Sequence, residues 1–336
     1  MDRKVPLVQE DLLTRVREAF DLGKEGVSMT AGARGALGQV WRLTAGQRVY
    51  AVKQVFAGRP PGPADVQAEI AFTRAAVAAG VRLPASHPDR QGGYLVPFPG
   101  GGWLRLYDWV DLLPADLAVS AEPLGVLLAR LHACASDPVG RESSGAPPDQ
   151  WYEVPPDLDG WPPLVTAAAD MGASWAARLA AAVDRLPALH ALLLPAEPTR
   201  MRTCHRDLHP ANVLADDTGH LVVVDWDELG PADPARDLAA TLLACFHDGE
   251  PDLASIQRAY RAYLSEGGPA RLHQPADFTM AIAAQLNFLD KQVCVALDAT
   301  APPRDRDRAE REIDEGLRIL PTPQLAAAIL DSLDTV

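Results

Sequence analysis

Three features are scarce in this 336-residue sequence, and each scarcity excludes a class of protein. Cysteine is the first. Cys134, Cys204, Cys245 and Cys294 stand far apart and form no C-x-x-C pair, so neither a zinc knuckle nor a disulfide framework is expected, and the four read as reduced core thiols. Basic clusters are the second. Asp and Glu outnumber Lys and Arg by 45 to 31, the formal net charge is −14, and no Lys/Arg block could track a phosphate backbone. Nucleic acid is therefore not an expected partner. Long apolar runs are the third. No segment reaches the roughly 18 uninterrupted apolar residues of a membrane span, and Met1-Asp2-Arg3-Lys4 is not followed by the apolar stretch of a signal peptide. The expectation is a cytoplasmic protein without membrane association.

What is present is ordinary globular material: 48% hydrophobic and 23% charged residues, in a chain long enough for two lobes rather than one minimal core. The surplus of acid reads first as a solvated surface, with attraction of a cationic partner molecule as the sharper alternative.

The informative stretch is His205-Arg206-Asp207-Leu208-His209-Pro210-Ala211-Asn212, followed by an apolar run, Leu221-Val222-Val223-Val224, that ends in Asp225. An aspartate five residues before an asparagine on one tight loop can set a general base beside a metal ligand. A second aspartate at the end of a buried strand can complete a magnesium site. Asp207 is thus the candidate base, Asn212 and Asp225 the candidate metal ligands. Asp227, in Asp225-Trp226-Asp227, is a candidate contact to substrate or metal-bound water, or the cap of the following turn.

Around this core the pattern alternates in kind. A helix with Leu12, Leu13, Val16 and Phe20 at helical spacing is expected over 8–22, and short strands over 38–43, 48–56, 93–97 and 103–110. A helix over 64–79 follows the Gly/Pro break at 58–63. From residue 122 onward helices are expected over 122–135, 164–186, 235–247, 251–266, 275–297 and 304–319, with a β-hairpin over about 213–224. A Pro-rich stretch, 137–163, reads as a long surface loop or a substrate-facing insertion. The expected fold class is α+β and protein-kinase-like. Residues 1–110 would form an N-lobe with a small antiparallel sheet and one helix, and 111–336 a mainly helical C-lobe.

The chain resembles the aminoglycoside phosphotransferase family of small-molecule kinases through the 205–212 block and Val224-Asp225-Trp226-Asp227. Further matches are Ala51-Val52-Lys53, Leu124-Gly125 leading to Leu131-His132, and Asp233-Pro234-Ala235-Arg236-Asp237-Leu238-Ala239. The family usually carries Gly where Arg206 stands. The resemblance implies a nucleotide donor, ATP or alternatively GTP, with Mg2+, and a small-molecule hydroxyl as acceptor. It implies that Lys53 meets the nucleotide phosphates and that Glu69, in the 64–79 helix, holds its ammonium by a salt bridge. Gly32, Gly35 and Gly38 precede Lys53 and would let backbone N–H groups approach the phosphates. The adenine would lie against the linker at Tyr107, Trp109 and Val110. His132 and His205 are expected to brace the catalytic loop, and Asp237 to anchor it.

The first candidate acceptor is an aminoglycoside or another cationic antibiotic, with Asp227 and Asp290 as candidate acidic contacts. An amino alcohol, a sugar or homoserine is the alternative. A protein kinase fits less well, because the eleven residues between Asp225 and Asp237 hold no Ala-Pro-Glu and no Ser, Thr or Tyr. An inactive nucleotide-binding module is the remaining reading, and a monomer or homodimer the expected state.

Overall fold

The structure is a computed structural model that describes residues 4–23, 25–35, 38–56, 60–98, 101–134 and 150–334. It divides into two compact units: Met1–Leu113 with Leu214–Val224, and Pro114–Val213 with Asp225–Val336.

The first unit is built on one antiparallel sheet of β1 (Val27–Arg34), β2 (Gly38–Ala45), β3 (Arg48–Val55), β4 (Ser86–His87), β5 (Val96–Pro97) and β6 (Trp103–Asp108), in the order β1-β2-β3-β6-β4 with β5 also on β6. Side chains alternate across such a sheet, so each strand serves two layers. Tyr50, Val52, Leu104 and Leu106 join Leu12 and Val16 of α1 (Lys4–Ala19) in one apolar cluster, with Leu13 and Phe20 packed on it. Of the other side, Arg105 meets Glu69 of α2 (Pro63–Ala78), so α1 and α2 cover opposite faces. The α1 spacing expected from Leu12, Leu13, Val16 and Phe20 is the face that packs, although the helix itself ends at Ala19. β1 was not among the expected strands, since its one glycine, Gly32, is read with Gly35 and Gly38 only for its approach to the phosphates.

In the second unit, β7 (Leu113–Pro114) begins a run of helices: α3 (Ala121–Cys134), α4 (Gln150–Glu153), α5 (Trp161–Asp170), α6 (Ala176–Val183) and α7 (Leu186–His190). The single helix expected over 164–186 is thus three. Gly172, at φ +67°, turns the chain out of α5, and Pro187 starts α7. Of the expected 137–163 loop, residues 137–149 lie outside the described residues, and the remainder holds α4, a 3-10 turn at Leu158–Gly160 and the start of α5.

After β8 (Arg202–Cys204) come β9 (Val213–Ala215) and β10 (Leu221–Val223), the expected hairpin, whose residues Leu214–Val224 cluster with the first unit. There Arg82 is bonded to Asp216 at 2.6 Å. β11 (Gly230–Ala232) pairs antiparallel with β8. The chain closes with α8 (Pro234–Phe246), α9 (Leu253–Ser265), α10 (Thr279–Leu297), α11 (Pro303–Arg318) and α12 (Pro323–Leu333). Only α12 lacked an expectation. It has a Thr322 cap and Pro323 at its first position, the usual start signals. α3 packs on α9 so tightly that a Cβ at Gly125 would stand 2.0 Å from the Ala259 carbonyl oxygen. No helix among the described residues is long and apolar enough to cross a membrane.

Candidate functional site

The residues expected to handle the nucleotide all lie in the first unit. Gly32 falls within β1, inside a register irregularity between Ala31 and Arg34, and the Gly35 amide donates to the Gly38 carbonyl at 3.0 Å. A Cβ at Gly38 would lie 2.4 Å from the Gln54 carbonyl oxygen, so β2 and β3 approach there as only glycine permits. Gly38 therefore has a packing reason of its own.

Lys53 and Arg105 are directly opposite on β3 and β6. Cross-strand partners in antiparallel strands share a face and have Cβ atoms about 5 Å apart. On that face Arg105 donates from Nη1 to Glu69 Oε2 at 2.9 Å and from Nη2 to Glu69 Oε1 at 2.6 Å. The pair is almost dry, with side chains 1% and 9% exposed. Two parallel charge-assisted bonds satisfy both carboxylate oxygens and fix α2 to the sheet. Arg105 was invisible as a site residue in the sequence. An arginine in an alternating strand reads as a solvent-facing residue, and its partner is 36 positions away.

The linker is held at several points. The Asp108 amide donates to Ala85 O at 2.9 Å and the Trp109 amide to Val49 O at 3.3 Å. The Trp109 indole donates to Asp111 at 2.7 Å, with the Arg42 guanidinium 5.4 Å from its ring. His87 Nε2 lies 2.7 Å from Asp108 Oδ1. Tyr107 is on β6, paired with Ala51, and Val110 follows the clamped pair.

The residues of the candidate reaction centre lie in the second unit. Among the described residues, two of the three non-glycine residues with positive φ are in its loops: Arg206 at +68° and Asp225 at +61°. Each such conformation costs an L-residue roughly 1–2 kcal/mol, which surrounding contacts must offset. Around Arg206 those contacts are present. Its amide donates to Asp237 Oδ1 at 2.9 Å, and Asp237 Oδ2 lies 3.0 Å from His132 Nε2, whose Nδ1 is 2.9 Å from the Tyr263 hydroxyl. His132 and Asp237 are buried, so α3, α8 and α9 jointly brace the loop. His132 and Asp237 thus stand as the resemblance implied. The α8 cap itself is Asp233, which accepts from Ala235 N at 2.9 Å. Cys204 lies near His132 and Asp237, and its buried thiol is pushed well above its usual pKa, which makes it an inert packing group.

Inside this frame Asn212 is buried and donates from Nδ2 to Asp207 at two places, the backbone carbonyl and carboxylate Oδ2, both at 2.9 Å. With its NH2 group turned to Asp207, the amide oxygen is oriented away from it and can serve as a ligand. His209 Nε2 stands 3.7 Å from the same Asp207 oxygen. Burial alone would lower the His209 pKa, but the nearby Asp207 carboxylate, with the charge of Asp225, outweighs it and raises the pKa. The carboxylate of Asp207 is half-exposed, its other oxygen available to a substrate. Asp225 is exposed just past β10, and the next residue, Trp226, is buried with its ring 4.7 Å from that of His205. Carboxylates and an amide oxygen form an all-oxygen donor set, the kind a hard divalent cation takes.

Asp227 is exposed on the same segment. Asp290 sits half-buried on α10, one turn after Asn287, and burial raises its pKa. Asn287 donates to the carbonyls of Trp151 and Val154, both at 2.9 Å, which places α4 along this part of α10. Tyr152 and Glu228, bonded to one another, are contacts that nothing in the local sequence pattern singles out.

The chain is similar to several known phosphotransferases and kinases. A viomycin phosphotransferase of Streptomyces vinaceus is 32% identical over 206 residues, 57% of this chain and 64% of that protein, so the match leaves about a third of that relative uncovered. Among solved structures, a spectinomycin phosphotransferase with ADP and spectinomycin superposes with a TM-score of 0.62 at 15% identity, over 97% of this chain and 98% of that one. A microcompartment-associated aminopropanol kinase gives 0.62 at 20% identity, over 98% of each chain. An amicoumacin kinase with AMP-PNP and Ca2+ gives 0.61 at 16%, over 96% and 98%. At these identities the structures establish a shared fold, that of the kinase-like phosphotransferases. The model of the phosphotransferase enzyme family matches residues 28–274, a span that takes in Lys53, Glu69, Asp207, Asn212 and Asp225, and the chain belongs to that family.

Proposed function

We propose that this protein transfers the terminal phosphoryl group of a nucleoside triphosphate to a hydroxyl of a small molecule, with an aminoglycoside or another cationic antibiotic as the first acceptor class. The observation that carries the reading is the immobilised base: Asp207 is fixed through Asn212 on a loop whose backbone is itself tied to Asp237. Phosphoryl transfer asks little covalent chemistry of a protein and a great deal of positioning, so a carboxylate held at one oxygen and open at the other suits the task.

In this reading Asp207 accepts the proton of the acceptor hydroxyl as its oxygen bonds to the γ-phosphorus and the β–γ bridging oxygen leaves with the diphosphate. Asn212 and Asp225 would hold Mg2+, which neutralises charge on the phosphate oxygens when bound. Lys53 supplies a cation to the phosphates, steadied by Glu69, which Arg105 keeps in place. The glycines of 32–38 admit the phosphates, the linker at Tyr107–Val110 receives the base, and Asp227 and Asp290 offer negative charge to a cationic acceptor. Cytoplasmic action on a diffusing substrate is part of the same reading.

The similarity to a viomycin phosphotransferase favours an antibiotic acceptor, while the aminopropanol kinase keeps an amino alcohol as the second reading. The test is a screen of purified protein with labelled ATP and GTP against viomycin, spectinomycin, other aminoglycosides, aminopropanol, choline and homoserine, read by product mass. A singly phosphorylated antibiotic is the expected result. Phosphorylated aminopropanol would give the metabolic reading, and no transfer from either nucleotide to any acceptor would count against the whole proposal.

A further inference from the structure

Arg206 occupies a position where the backbone favours glycine, at φ +68°, and where the resembling family usually has glycine. The side chain gained at that conformational cost has a defined place. Its guanidinium carbon lies 4.5 Å from the centroid of the Tyr152 ring, and its Nε donates to the Glu228 carbonyl at 2.6 Å. The Tyr152 hydroxyl donates to Glu228 Oε2 at 2.9 Å, and the same carboxylate oxygen is 3.9 Å from Arg206 Nη2. Space has been kept for the guanidinium: a Cβ at Gly230 would stand 2.6 Å from it. Its side chain is only 8% exposed although it lies beside the catalytic aspartate in sequence.

Tyr152 belongs to α4, the first described element after residues 135–149. Its ring rests on Cys204, Ala232 and Met280. The helix is pinned on its other sides by Asn287, and by Glu153 bonded to Arg236. Arg206 is thus the tie that comes from the catalytic loop itself. Asn287, which bonds the carbonyls of Trp151 and Val154, stands one turn before Asp290, the candidate acceptor contact, so α4 lies along the stretch of α10 that would meet the acceptor.

We propose that Arg206 is a positioning residue that clamps α4 to the catalytic loop through Tyr152 and Glu228, making α4 a fixed wall that holds the acceptor at Asp207 and keeps stray water from it. The inference rests on the phosphotransferase reading above. Its chemical consequence is coupling: with the wall loose, water takes the acceptor's place, its oxygen bonding to the γ-phosphorus as ADP leaves and its proton passes to Asp207.

The experiment compares wild type with Arg206→Gly, Arg206→Lys and Tyr152→Phe, using MgATP without acceptor as the probe. Amide hydrogen exchange over residues 150–154 should be about 10-fold or more faster in R206G than in wild type, with the β9–β10 hairpin unchanged. The melting temperature should not fall in proportion, because glycine removes the left-handed strain as the contacts are lost. Phosphate release from ATP should rise several-fold, to about 3- to 10-fold, at an unaltered KM for ATP. R206K should not restore wild-type behaviour, since an ammonium cannot stack flat on the ring and bond the carbonyl at once. Y152F, which keeps the stack and loses the hydroxyl bond, should fall between. Unchanged exchange at 150–154 in R206G would overturn the clamp. Faster exchange with hydrolysis unchanged or reduced would overturn the wall, leaving Arg206 a purely structural tie. Wild-type protein with no thermal shift in MgATP and no hydrolysis would instead overturn the phosphotransferase reading and the wall with it, an outcome the thermal shift separates from the other two.

Discussion

Two buried acids, one in each unit, are held in opposite ways. Glu69 gives both carboxylate oxygens to one guanidinium, that of Arg105, in a nearly dry pair. Asp237 divides its oxygens, one to the Arg206 amide and one to His132, which in turn meets Tyr263. The first arrangement is a staple between a helix and a strand, two parallel bonds between one carboxylate and one guanidinium. The second is a brace with several members, one end of which is the catalytic loop's own backbone. The contrast separates two demands on such a protein. A helix can be fixed wholesale by one strong pair, whereas a loop that must keep a base within fractions of an ångström is held by a shared network.

Breaking the staple should cost most. Arg105→Met leaves the Glu69 charge buried, and loss of one partner of such a pair costs about 3–5 kcal/mol by chemical denaturation. Adding Glu69→Gln should recover a large part of that loss, since the stranded charge goes with it. A single variant close to wild type in stability would mean that Glu69 is satisfied without Arg105. Breaking the brace should cost less stability and more function. Asp237→Asn keeps an acceptor oxygen for the Arg206 amide and removes the charge facing His132, with an expected loss of about 1–3 kcal/mol. Turnover should fall further than that loss of folded protein explains, at a KM for ATP close to wild type. Equal effects of Arg105→Met and Asp237→Asn on kcat would dissolve the distinction between staple and brace.

The smallest effect belongs to a third acid, on the hairpin of the first unit. The Asp216 carboxyl is held well below its usual range by the Thr218 hydroxyl, aided by the His220 and Thr218 amides and by Arg82. A depressed carboxyl stabilises the fold above its unfolded-state pKa, ordinarily 3.8, and that contribution fades as pH falls through the lower folded value. The stability difference between wild type and Asp216→Asn should therefore be modest, flat from neutral pH down to that point, and shrinking below it. A difference that grows on acidification would reverse the sign of the argument.

Much of the unit-2 chemistry was legible in the sequence because it is local. Asp207 and Asn212 are five residues apart on one loop, Asp225 ends an apolar run, and the helices α2, α3, α8, α9, α10 and α11 announce themselves by spacing, caps and breaks. What could not be read is set by distant partners. Arg105 finds Glu69 across 36 positions, and nothing in Trp103-Leu104-Arg105-Leu106-Tyr107 says that both faces of β6 are covered. Tyr152 lay inside a stretch whose prolines suggested a loop, yet Asn287 and Arg236, 136 and 83 positions downstream of their partners there, hold it as a helix. The break at Gly172 was visible as a glycine but not as a left-handed turn, because an isolated glycine in a helical pattern is compatible with either outcome.

For Asp207 as the proposed base of a phosphoryl transfer from a nucleotide, the decisive variant is Asp207→Ala, with transfer of labelled phosphate from ATP to the acceptor found by the screen measured beside MgATP affinity. Turnover should fall by about 10²- to 10⁴-fold, the usual range for removing a general base, while nucleotide affinity and melting temperature stay near wild type. Near-normal turnover in the variant would contradict the assignment.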